Sequence, residues 1–207
     1  MCHYTVEKSS GIQLRRYAND IAKELFRKSI HLCTVFVPLL LASAYYPVLI
    51  LLSCILVFYI ITELLRINGF TVPVISAVTQ AAARKRDENK FVLGPVTLAS
   101  GVLITALLFE PVPASIGICA LALGDGLASL AGKMCGKVAI PFTNGKTAAG
   151  SVTCFAAIFV ATFFITRDSE LSLVIACAGM LIEVLPLKDF DNLLIPIALA
   201  SLAQFLR

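Results

Sequence analysis

The chain has 207 residues, of which 58% are hydrophobic and only 14% charged, and its net charge is +4. A water-soluble domain carries about 25% charged residues, and a disordered chain pairs low hydrophobicity with high net charge. A mean hydropathy of +0.90 excludes both classes, leaving a membrane protein of about one domain.

The first 23 residues hold no apolar core of signal-peptide length. They read as a short amphipathic helix on the membrane surface, with Arg15, Arg16 and Lys23 near anionic head groups. Residues 24–207 read as one transmembrane domain. No Asp, Glu, Lys or Arg occurs from Ser29 to Thr62, a run of 34 residues. One span needs about 20, so Tyr45-Tyr46-Pro47 is the natural break, giving spans near 24–44 and 47–65. The stretch 73–90 reads as an interfacial helix leading into Arg84-Lys85-Arg86. Further spans are expected near 95–109, 113–131 (after Pro111), 148–166, 170–186 and 191–206. The fold class is therefore all-α, polytopic, with seven transmembrane helices.

Cations orient this layout, because cytoplasmic segments are enriched in Lys and Arg. With the N-terminus inside and the C-terminus outside, 15 of the 17 fall on the cytoplasmic side, and only Arg167 and Arg207 fall outside. The net positive charge thus reflects orientation. Aromatic and basic residues are not interleaved, so a nucleic-acid partner is not expected. The expected setting is a bacterial-type cytoplasmic membrane with the chemistry facing the cytoplasm. Cys33, Cys54, Cys119, Cys154 and Cys177 fall within spans, where a thiol packs as a small apolar group.

Ionisable residues that enter the membrane collect at the cytoplasmic ends of the spans, where they are costly and point to a site. Glu24, Arg27, Lys28 and His31 share one helix face. A solvated helix end accounts for the first three, but His31 continues that face a full turn into the apolar run. Asp125 lies in Leu123-Gly124-Asp125-Gly126, and Ala128, Gly132 and Gly136 follow on its face. Close helix packing explains the small residues but not the carboxylate. The same track could clear room for phosphates.

The next loop supplies Lys133, Lys137 and Asn144-Gly145-Lys146-Thr147, then Gly150-Ser151 opening the fifth span. Lysines neutralise phosphate oxygens, and a helix N-terminus presents N–H groups to anions. Gly145-Lys146-Thr147 is not a Walker A loop, since the upstream glycine is missing and no strand precedes it. Glu183, Asp189, Asp191 and Asn192 border the last two spans. Carboxylates beside a phosphate-binding loop suit Mg²⁺, although Asp189 or Asp191 could equally cap the last helix.

Asp125-x2-Ala128-x3-Gly132-x3-Gly136-x8-Gly145-Lys146-Thr147-x2-Gly150 resembles the CTP-binding signature of the dolichol kinase family of CTP-dependent lipid kinases. That family includes phytol kinase and the CTP-dependent diacylglycerol kinases. Glu24-x2-Arg27-Lys28-x2-His31, Gly94-Pro95 and Glu183…Asp191-Asn192…Pro196 also resemble it. Gly145 and Ala149 depart from the dolichol kinase form, which points away from dolichol as acceptor while keeping CTP as donor.

The resemblance implies CTP-dependent phosphorylation of a membrane lipid alcohol, diacylglycerol or a polyprenol or phytol type, at the cytoplasmic interface. CTP would be held by Arg27, Lys28, Ala128, Gly132, Lys133, Gly136, Gly145, Lys146, Thr147, Gly150 and Ser151. Mg²⁺ would lie on some of Asp125, Glu183, Asp189, Asp191 and Asn192, and catalysis would fall to Asp125, His31 and Lys146. The alternatives are a phosphatidate cytidylyltransferase, whose further His-Gly-Gly pattern is missing here, and a small transporter. The sequence leaves the alcohol and the oligomeric state open.

Overall fold

The computed structural model describes residues 21–70, 90–136, 138–141, 143 and 145–207. Among them are seven helices: α1 (Ile21–Ser43), α2 (Tyr45–Ile67), α3 (Gly94–Leu108), α4 (Pro111–Cys135), α5 (Ala148–Thr166), α6 (Ser169–Val184) and α7 (Asp191–Leu206). They fall on the expected positions with small shifts at their ends. The only strand-like pairing among the described residues is an isolated antiparallel bridge between Ala139 and Thr147. Residues 1–20 and 71–89, which carry most of the two expected interfacial helices, lie outside the described residues. Ile21 to Lys23 already belong to α1.

Local chemistry sets the helix ends. Pro47, Pro95 and Pro111 stand in the first turns of α2, α3 and α4, where a missing N–H costs nothing. Thr147 caps α5 by accepting from the Gly150 amide, and Asp168 caps α6 by accepting from Glu170 and Leu171. Where the chain re-enters at α3, buried Glu63 binds Arg66 and accepts a hydrogen bond from the Val92 amide at 2.8 Å.

Length separates the helices into two groups. α1 and α2 (23 residues each), α4 (25) and α5 (19) are long and apolar enough to cross a membrane. α3 has 15 residues, and α6 and α7 have 16 each, short of the roughly 20 that a full crossing takes. α4 is the hub, packing against α1, α3, α5, α6 and α7. Its Ile118 and Leu121 join Ile158, Ile175 and Leu199 in a fully buried core. Phe36, Leu39 and Leu40 of α1 and Tyr46, Ile50 and Phe58 of α2 are exposed, an apolar exterior suited to lipid rather than water.

Close helix approach depends on a few glycines. α7 lies against α3 and α4 where Gly101 meets the Asn192 carbonyl and Gly117 meets the Pro196 carbonyl. Pro196 lacks the amide that would bond to the Asn192 carbonyl, and this leaves the oxygen turned toward α3. The Ile158 side chain of α5 fills notches at both Gly124 and Gly179, where added Cβ atoms would lie 2.8 and 2.4 Å from it. Gly124 precedes Asp125, and Gly179 stands one turn before Glu183. One buried isoleucine therefore fixes the spacing of two carboxylates brought in by different helices.

Two helices depart from α geometry. α1 tightens to a 3-10 turn at Thr34–Phe36, and α4 widens to a π turn at Ala120–Asp125. A π turn inside an α-helix often marks a functional position. This one ends on Asp125.

Candidate active site

Most of the residues singled out from the sequence converge at one end of the bundle, around a cavity of about 620 Å³, while Lys137 and Asn144 lie outside the described residues. α1 brings Glu24, Arg27 and Lys28 to its wall. α4 brings Asp125, Ala128, Gly132 and Lys133, and the following loop brings Gly145, Lys146 and Thr147. Gly150 of α5, Glu183 of α6 and Asp191 of α7 complete it.

Asp125 is buried and forms a close ion pair with Lys28, itself 1% exposed. His31 Nδ1 lies 3.2 Å from the same Asp125 oxygen but makes no aligned hydrogen bond. His31 is buried behind this pair and is not on the cavity wall. The face Glu24–Arg27–Lys28–His31 thus meets α4 instead of solvent. Glu24 pairs with Arg27 and, at 3.0 Å, with Lys133 of α4. The Arg27 Nε is buried and has no acceptor among the described residues, so its guanidinium keeps a donor for the site.

Lys146 reaches Glu183 at 3.0 Å, and the Ser151 hydroxyl donates to the other Glu183 oxygen at 3.4 Å. These contacts tie the loop and the start of α5 to the end of α6. The loop folds back through Ile140 N–H to Lys146 carbonyl (2.8 Å) and Ala148 N–H to Val138 carbonyl (3.0 Å). Gly145 makes the reversal at φ +88°, in the region glycine alone enters freely.

The small-residue track has a partner within the protein. Cβ atoms added at Gly132 and Gly136 would lie 3.0 and 2.5 Å from the Thr147 hydroxyl, and one at Gly150 would lie 2.9 Å from the Ala128 carbonyl. Thr147 and Gly150 pack closely against this track, while Ala128, Gly132, Thr147 and Gly150 still line the cavity and Gly136 is not among its lining residues. A Cβ at Gly136 would also lie 2.2 Å from the Gly132 carbonyl, so this position is closely packed. We expect Gly136→Ala to lower the thermal stability of the detergent-solubilised protein by about 1–3 kcal/mol through displacement of Thr147. An unchanged melting temperature would mean that the loop does not depend on this contact.

The remaining expected residues separate. Asp191 lines the cavity, accepts the Asn192 amide at 2.9 Å and has no salt bridge among the described residues. The N-cap position of α7 is Phe190, and Asp191 is its first residue. Asp189 lies in the turn before α7 and is not among the cavity residues. Buried Asn192 gives its side-chain amide to Thr97 at 3.1 Å and to the Gly94 carbonyl at 3.4 Å. That amide anchors α7 to α3.

Sequence reasoning missed Ser129, Thr143 and Lys188, all on the wall. Ser129 stands four residues after Asp125, so helical spacing could have found it. Lys188 has φ +59° and comes to the cavity only through the α6–α7 turn, which has no sequence signal.

Among the described residues no group of three or more His, Cys, Asp or Glu side chains could hold a metal ion. Asp125, Glu183 and Asp191 nevertheless face one cavity, and Mg²⁺ commonly takes only one or two carboxylates plus waters and substrate phosphates.

No family model matches the chain, and no solved structure matches it. The chain is similar to a protein named probable phytol kinase 2, chloroplastic, of Oryza sativa subsp. japonica. They are 26% identical over 215 residues, covering 90% of this chain and 69% of that protein. It is also similar to phytol kinase 1, chloroplastic, of Arabidopsis thaliana, at 25% identity over 64% of this chain and 49% of the relative. Farnesol kinase, chloroplastic, of the same plant is 28% identical over 61% of this chain and 47% of the relative. The chain thus spans about half the length of the two Arabidopsis proteins. These similarities agree with the lipid-kinase resemblance carried by the motif. All three names are chloroplastic, and nothing in them supports the bacterial-type membrane expected from the sequence.

Proposed function

We propose that this protein is a CTP-dependent kinase of a membrane lipid alcohol, transferring the terminal phosphoryl group of CTP to the alcohol and releasing CDP. The observation that carries the reading is the folding of the Asp125-to-Gly150 motif and the Glu24–His31 face around one cavity rich in both cations and carboxylates. The names of the relatives favour an isoprenoid alcohol as acceptor over diacylglycerol. The active-site end faces the cytoplasmic side in this reading, with all seven helices in the membrane.

Phosphoryl transfer needs little covalent chemistry from a protein and depends on positioning and charge neutralisation. Arg27, Lys28, Lys133 and Lys146 would hold the phosphates. Lys28 and Lys146 now neutralise Asp125 and Glu183, so nucleotide binding exchanges partners: lysines turn to phosphate oxygens and carboxylates become free for a cation. Asp125, Asp191 and Glu183 would hold Mg²⁺, which when bound neutralises charge on the phosphates. The acceptor hydroxyl then loses its proton to His31, whose Nδ1 faces Asp125 and leaves Nε2 for the substrate.

His31→Gln keeps a hydrogen-bonding side chain but no useful base. We expect kcat to fall about a hundredfold or more, with the CTP KM and the melting temperature near wild type. A near-normal kcat would reduce His31 to a positioning role.

The function itself is tested with the purified full chain, CTP labelled at either the terminal or the first phosphorus, and farnesol, phytol, diacylglycerol and phosphatidate as acceptors. Label from the terminal phosphorus in a lipid monophosphate is the expected result. Pyrophosphate release with the first phosphorus entering a CDP-lipid would replace the kinase with a cytidylyltransferase. No transfer to any acceptor would overturn both.

A further inference from the structure

The kinase reading places the acceptor's hydroxyl near Asp125 and His31 but does not say where its hydrocarbon tail goes. A second cavity, of about 590 Å³, lies at the opposite end of the same α1–α4 seam. Pro38 and Leu41 of α1 and Ala114 and Ile118 of α4 line it. Ile118 stands seven residues before Asp125, and Pro38 stands seven after His31. At 1.5 Å per residue, the near edge of the cavity is about 10 Å along the seam from the Asp125–His31 pair.

Among the described residues the lining holds no charged side chain. Its two polar side chains, Tyr45 and Ser115, are both satisfied within the wall. The Tyr45 hydroxyl donates to the Ala106 carbonyl at 2.9 Å and the Ser115 hydroxyl to the Pro111 carbonyl at 2.6 Å. Water needs two to four polar partners to settle in a cavity, and these walls offer few. Between the two cavities α1 and α4 are irregular at the same level, with the 3-10 turn at Thr34–Phe36 in contact with the π turn at Ala120–Asp125. One seam therefore runs from a charged cavity, past two non-α turns, to an apolar cavity. An amphiphile with one polar end has that same order of chemistry.

Resting on the kinase reading, we propose that this second cavity takes the far end of the acceptor alcohol's hydrocarbon tail. The chain runs along the α1–α4 seam, with its hydroxyl at Asp125 and His31. The nucleotide enters from the polar cavity and the lipid from the seam, which explains why His31 faces Asp125 without lining the nucleotide side. The tail site also acts as a length gauge. Alcohols too short to pass the irregular turns gain nothing from it, whereas longer ones do.

The test compares the full-length protein with Ala42→Phe and Ala114→Phe, using geraniol, farnesol and phytol as acceptors. Ala42 lines the cavity from an exposed position, so that variant keeps the test valid if the buried Ala114→Phe folds poorly. The expected result is a fall of about tenfold or more in kcat/KM for phytol, a smaller one for farnesol, and little change in the CTP KM. In parallel, a phytol analogue with a diazirine at the end remote from the hydroxyl is expected to cross-link to peptides containing Pro38–Ala42 or Ala114–Ile118. Equal losses with all three acceptors, unchanged phytol kinetics, or cross-linking confined to other helices would overturn the tail site. In each of those cases, wild-type phosphorylation of the alcohols leaves the kinase reading standing. Failure of the wild type to phosphorylate any alcohol overturns both.

Discussion

Asp125→Asn is expected to abolish phosphoryl transfer, and raising CTP should not restore it. The carboxylate sits at the centre of the charge arrangement, close to Lys28 and 3.2 Å from His31 Nδ1, with 5% of its surface exposed. Asn keeps the shape but removes the charge that a cation or the His31 ring would meet. It also strands the buried Lys28 ammonium. Removing one partner of a buried pair costs about 3–5 kcal/mol, so the single variant could lose activity through folding alone. The double variant Lys28→Met/Asp125→Asn isolates the folding effect through its melting temperature, and its activity is read against Lys28→Met alone, since Lys28 also faces the phosphates. With no buried charge left unpaired, its melting temperature should recover toward wild type while its activity stays lost. Wild-type activity and metal dependence in Asp125→Asn would make the carboxylate a packing element and move the site elsewhere.

Lys146→Met should raise the CTP KM by about 10- to 150-fold, the equivalent of losing a charge-assisted phosphate contact worth roughly 1.5–3 kcal/mol. The structural cost should be small. Lys146 is partly exposed at the cavity, and Glu183 keeps the Ser151 hydroxyl as a partner at 3.4 Å. Lys146→Arg preserves charge and reach and should recover most of the affinity. Nucleotide titration alongside a melting curve is the appropriate measurement. A CTP KM unchanged in Lys146→Met would take the loop out of the nucleotide site and leave Lys146–Glu183 as a structural tie.

The sequence made the helices legible because membrane helices are set by local quantities. Apolar run length and proline at a break are read within a few residues, and they have direct counterparts at Pro47 and Pro111, whereas the caps at Thr147 and Asp168 emerge only from the structure. Motif spacing likewise brought Asp125, Lys146 and Glu183 to one site. Single side chains were harder to place. Asn192 shares a helix end with Asp191, yet its amide turns to Gly94 and Thr97 while Asp191 faces the cavity. Adjacent helix positions are separated by about 100°, and which of them meets a neighbour depends on where that neighbour lies.

By itself, then, the sequence determined an all-helical membrane chain, the positions of its seven helices, and the gathering of ionisable residues toward one end. These follow from periodicity and from the cost of charge in hydrocarbon, which act locally along the chain. Only the tertiary structure decided that Thr147 and Gly150 dock onto Gly132 and Gly136, and that Lys28 is spent on Asp125. It alone placed His31 behind that pair, aligned the 3-10 and π turns, and left an apolar cavity farther along the same seam. Such outcomes depend on distances between residues far apart in the chain. Backbone approach at a glycine, or a choice between two buried charge partners, is settled when whole helices pack, and no short stretch of sequence carries that information.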